Sequence, residues 1–140
     1  MASPMSRTLE LFRARGWEAH PVERRIHGHL LIDYAGFGDI IAFSDTEEAI
    51  IQACNGTDVQ ARVRKILGEP QGPDLKDAQR AERVRTAAIK WVRKPGRRII
   101  VVGWRKYKAR VDGKLVRAIE TDVTLEDLLY GLDDGGTDAE

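Results

Sequence analysis

The sequence predicts a single α/β domain: a central mixed β-sheet flanked by helices, with a C-terminal β-hairpin. Three observations predict it. Short, fully apolar runs stand at 40–43 and 99–104, with a mostly apolar run at 49–54 between them, as buried strands read. Between the second and the third lie two segments of helical period. Asp112-Gly113 then divides two strand-like runs, a strong hairpin signal.

Each element follows from local pattern. Ser6 is expected to cap a first helix over 6–15, with Leu9 and Phe12 on one face and Gly16 as its stop. Residues 17–25 read as a strand that Pro21 pushes towards a sheet edge. RIHGHLLIDYAGFG leads into the apolar strand 40–43, SDTEE turns, and 49–54 is a second buried strand. Thr57 and Gln60 are expected to form a capping box on the next helix, with Val59, Val63, Ile66 and Leu67 as its core stripe and Gly68 its end. A longer helix is expected over 75–92, turning Ala78, Ala81, Val84, Ala88 and Trp91 inward. The strand 99–104 continues into RKYKARV and returns as KLVRAIETDV. Thr124 caps a last helix, LEDLLY. The domain is expected over 1–130, with 131–140 an acidic, disordered tail. The element order is α-β-β-β-α-α-β-β-α.

At 140 residues, 42% hydrophobic and 32% charged, the chain suits one globular domain. No apolar run approaches the ~20 residues of a membrane span, so no membrane partner is expected. The first seventeen residues hold no uncharged apolar stretch of signal-peptide length. One cysteine forms no intrachain disulfide, which suits a reducing cytoplasm. The net charge of +1 conceals a segregation: residues 62–117 carry 18 Lys and Arg against 5 Asp and Glu. From 118 onward there are eight acids and no base. Either an anionic partner meets the basic part, or the two parts neutralise one another in the fold.

The order helix, strand, strand with Asp, strand with a second half-motif, helix resembles the PD-(D/E)XK nucleases. The closest flavour is that of Holliday junction resolvases, Mrr-type endonucleases and small phage-encoded relatives. GFGDIIAF supplies the motif aspartate as Asp39; AIIQACNG places Gln52 at the acid position and Cys54 at the lysine position. Residues 6–67 carry the match. The resemblance implies a restriction-endonuclease-like core and a DNA-directed, metal-dependent endonuclease. Mg²⁺ or Mn²⁺ would be held at Asp39 and Gln52, with Asp33 and Glu10 as further oxygen ligands. Gln52 and Cys54 share a strand face by period-two alternation. Gln52 offers a carbonyl oxygen without charge. Cys54 departs from the family, because a thiol replaces no ammonium and sulfur is a poor Mg²⁺ ligand. Arg62 and Lys65 on the next helix are candidates for a migrated catalytic cation, or else part of a solvated face. Cys54 also reads as a buried hydrophobe, Glu10 as a surface salt-bridge partner and Asp33 as a turn residue.

Lys76, Arg83 and Lys90 recur at seven-residue spacing as one basic stripe. Arg105, Lys106, Lys108, Arg110, Lys114 and Arg117 surround Trp104 and Tyr107 in the hairpin, a mixture suited to phosphate contact and base stacking. The alternative is an ordinary amphipathic hairpin with its rings in the core. His20, His27, His29 and Cys54 match no zinc spacing. DNA is the expected partner, and a homodimer is compatible. The rival functions are a non-catalytic nucleic-acid-binding member of the fold and a small phage-type protein-interaction module.

Overall fold

The computed structural model describes residues 2–22, 24–26, 30–32, 34–111 and 113–135. Helix α1 spans Pro4–Ala14. It begins before the expected Ser6, because Pro4 presets the first helical φ and Ser3 is the cap, its hydroxyl accepting from the Ser6 amide at 3.1 Å. Gly16, with φ +90°, stops it. Strand β1, Glu18–Pro21, ends at the proline instead of running on to residue 25. The next segment pairs with itself as β2 (Arg24–Ile26) and β3 (Leu30–Ile32), a separate two-stranded antiparallel sheet that the sequence did not signal.

Strands β4 (Ile40–Phe43) and β5 (Glu48–Asn55) stand where their apolar runs placed them. A 3₁₀ turn, Gly56–Asp58, precedes α2 (Val59–Ile66), and no Thr57–Gln60 capping box forms because the α-helix starts one residue later, with Asp58 in the N-cap position. Val59, Ile66 and Leu67 are buried and Val63 half-buried, as the stripe requires. Helix α3 covers Leu75–Val92. Ala81, Val84 and Ala88 face inward; Ala78 is exposed, because the buried face of α3 begins at Ala81. Strands β6 (Arg97–Val111) and β7 (Lys114–Asp122) form the hairpin. Helix α4, Leu125–Gly135, is capped reciprocally by Thr124 and Asp127. It outruns the expected boundary at Tyr130: Gly131, where an added Cβ would lie 3.1 Å from Leu67, does not interrupt it. Of the acidic tail, 136–140 lies outside the described residues.

The main sheet has the order β1-β4-β5-β6-β7 and is antiparallel except between β5 and β6. The α2–α3 crossover makes that parallel pair possible. Alternation splits the core into two layers. Ile40, Ala49, Ile51, Ile100 and Val102 meet Phe12 of α1. Ile50, Cys54, Ile99 and Val101 meet Val59, Ile66, Val84, Ala88 and Leu128 of the other three helices. No described helix is long and apolar enough to cross a membrane.

Candidate functional site

The segment before Asp39 is a tight turn pinned to the fold. Tyr34 and Gly38 exchange backbone hydrogen bonds of 2.7 and 2.8 Å, and Phe37 is fully buried. Gly36 has φ +86°, and a Cβ there would come within 2.9 Å of Val84; a Cβ on Gly38 would collide with Ile50. GFG is thus a steric requirement that sets Asp39 at the head of β4.

Asp39 and Gln52 are both buried, at 7% and 3% exposure. Asp39 Oδ2 accepts from Gln52 Nε2 at 2.8 Å and from the Ala53 amide at 2.9 Å. Gln52 pairs in register with Val101, on the sheet face that also carries Ile50 and Cys54. The motif residues named from the sequence therefore meet in one place. Burial pushes the Cys54 thiol up first, Arg62 draws it down, and Asp58 and Asp39 add to the rise. The net shift is upward, so this position supplies a neutral thiol. Arg62, half-buried, is the cation whose field reaches it. Lys65 lines a 120 Å³ cavity with Gly36, beside the turn that leads to Asp39.

Glu10 does not join them. It is exposed on α1, which covers the opposite face of the sheet, and there it borders a cleft with Arg7 and Arg110. Asp33, His27 and His29 lie outside the described residues; His20 is exposed and bonded to Glu18 at 3.1 Å. Among the described residues no three His, Cys, Asp or Glu side chains gather. One carboxylate and one carboxamide fall short of the oxygen set that Mg²⁺ or Mn²⁺ takes, so the described residues alone do not fit that cation.

The charge segregation resolves into two regions. At one end of the sheet acids and bases do neutralise each other: Arg15 pairs with Glu120 at 2.6 Å, and Arg98 with Asp122 at 3.0 Å. Arg15 holds the Glu120 carboxyl below its ordinary value. At the hairpin they do not. Arg105, Lys106, Lys108, Arg110, Lys114 and Arg117 are all exposed, and none forms an ion pair with a described residue. Arg105 lies directly across from Arg117, a like-charge pairing that destabilises a bare hairpin. Beyond Lys106–Val116 the register slips, so that Tyr107–Arg110 face Leu115 alone. Tyr107 is half-buried with the Arg117 guanidinium 5.8 Å from its ring centre.

Trp104 corrects the expectation of a stacking ring: its indole donates to the buried Thr8 hydroxyl at 2.9 Å and packs in the α1 layer. On α3, Lys76, Arg83 and Lys90 are exposed and form no ion pair with described residues. Sequence reasoning missed Arg7. With Arg105 and Lys106 it borders a 280 Å³ cavity at the hairpin base, where Asn55 and Thr57 add polar groups and no described lining residue is acidic. Only the fold brings α1 to β6, so no local signal marked it. Comparison with protein-family models, curated proteins and solved structures gives no match.

Proposed function

We propose that this chain is a DNA-binding protein on a nuclease-like α/β frame of the PD-(D/E)XK type, contacting the phosphate backbone through the β6–β7 hairpin. The carrying observation is Arg105 facing Arg117 among four further cations without a carboxylate partner in the described residues. Such an arrangement costs stability in the free protein and is offset when an anion enters. Arg7, at the hairpin base, extends the same basic surface.

The test is fluorescence anisotropy with duplex and branched DNA across a salt series. Affinity falls steeply with salt, and Arg105→Glu, Lys106→Glu and Lys108→Glu together remove most of it while circular dichroism is unchanged. Wild-type affinity in that triple variant would move the interface to the Lys76, Arg83, Lys90 stripe. Absence of DNA binding at low salt would favour a protein partner instead.

A second reading, metal-dependent endonuclease activity, is favoured by the buried Asp39–Gln52 pair on an otherwise apolar sheet face. Asp33 would have to complete its oxygen set. Incubation with branched, single-stranded and duplex DNA in Mg²⁺ or Mn²⁺ decides it. Cleavage that disappears in Asp39→Asn supports hydrolysis, and tight binding without cleavage leaves the binding role alone.

A further inference from the structure

A second basic surface lies away from the hairpin, between the turn before Asp39 and the end of α3. Tyr34 and Trp91 wall a cleft of about 770 Å³, with Lys90, Arg93, Lys94 and Arg97 around it. Its volume falls within the range of about 300–1,000 Å³ typical of small-ligand sites. Among the described residues that line it, none is acidic. Arg97 has a partner, Glu48 at 3.8 Å, whereas Lys90, Arg93 and Lys94 form no ion pair with any described residue.

The two rings are held differently. The Trp91 indole donates to the Arg98 carbonyl at 2.8 Å, and the Arg97 guanidinium lies 4.2 Å from its ring centre, so this wall is fixed. Tyr34 is 45% exposed, and its hydroxyl bonds to no described residue. Its backbone is nevertheless rigid: it is bonded to Gly38 and followed by Ala35 at φ +54°, a conformation rare for alanine. A large ring is therefore held out towards solvent beside three cations that no described residue pairs, on the side of the sheet where Asp39 meets Gln52.

An aromatic face and a cationic rim, with no acid among its described residues, suit a ligand carrying a flat ring and a phosphate. We infer that this cleft seats an unpaired nucleotide of single-stranded DNA, its base against Tyr34 and its phosphate among Lys90, Arg93 and Lys94. A base inside a duplex presents no free face to Tyr34, so the cleft selects unpaired strands. The inference deepens the DNA-binding reading and rests on it for the class of ligand, but it uses different residues.

The experiment measures anisotropy of a labelled ten-nucleotide oligothymidylate and of a labelled duplex on wild type, Tyr34→Ala, Tyr34→Phe, Lys90→Glu/Lys94→Glu and the hairpin triple variant. Tyr34→Ala weakens the oligothymidylate about tenfold, as loss of one stacked base does, and leaves the duplex within about twofold. Tyr34→Phe retains wild-type affinity, and Lys90→Glu/Lys94→Glu weakens the single strand and flattens its salt dependence. The hairpin variant loses the duplex first. Oligothymidylate bound equally by wild type and Tyr34→Ala would overturn the inference, as would displacement by inorganic polyphosphate to the same extent from both. A Tyr34 effect in a protein that binds no duplex would keep the cleft and remove the hairpin reading; duplex binding with a silent Tyr34 would do the reverse.

Discussion

Asp39 takes two hydrogen bonds on one carboxylate oxygen in a place nearly closed to water. Removing the carboxylate strands the Gln52 and Ala53 donors, at about 1–3 kcal/mol for each buried group left unsatisfied. Asp39→Ala is therefore expected to lower the urea midpoint by a cost of that size, whereas Asp39→Asn, which keeps an acceptor, loses much less. That difference makes the asparagine variant the cleaner probe of hydrolysis. Cys54 is expected to react slowly with thiol reagents in the folded protein and rapidly in denaturant. Its folded value is raised, so its contribution to stability is whole below the unfolded value of about 8.5 and is lost as pH rises from there through the folded one. A denaturation series on wild type and Cys54→Ala checks this, the wild type alone losing that increment in alkali. That Gln52 and Cys54 share a face was legible, because alternation along β5 is local. The Trp104–Thr8 bond was not: its partners are 96 residues apart in sequence.

At the scale of elements, α1 shows how a one-turn error arises. Two serines, Ser3 and Ser6, stand at plausible cap positions, and proline decides between them by opening the helix at Pro4, which puts Ser6 inside it. Ser3→Ala is expected to cost about 1 kcal/mol, and Ser6→Ala much less, measured as thermal midpoints of the single variants. The long α3 was readable from its period and the apolar strands from their continuous runs. The β2–β3 pair, the late start of α2 and the slipped register at Tyr107–Arg110 were not, because each depends on what the neighbouring chain already occupies.

Over the whole molecule, near-neutrality arises from separation of charge. Acids from β7 and from the turn before β5 are tied to Arg15 and Arg98 at one end of the sheet, while the hairpin beyond Lys106 keeps its cations. The sequence showed the imbalance and left open whether folding would cancel it; the fold cancels it at one end only. Counterion release then gives a number. If Arg105, Lys106 and Lys108 each meet a phosphate, their reversal lowers the slope of log affinity against log salt by about 2.7. A titration over a fourfold salt range measures it, and an unchanged slope would mean that none of the three touches the backbone.

The single parallel ladder has a kinetic consequence. Eight residue pairs, from Glu48–Arg97 to Asn55–Trp104, join two antiparallel halves, and the whole of α2 and α3 lies between the strands they connect. Each half forms from near neighbours, β4 with β5 and β6 with β7, while the seam between them must wait for a long loop to close. Folding is therefore expected to proceed as two local assemblies that meet late, with the β5–β6 seam formed last. The Asp39–Gln52 bond belongs wholly to the β4–β5 half, so its geometry is expected to be laid down before the chain that supplies the hairpin cations has docked.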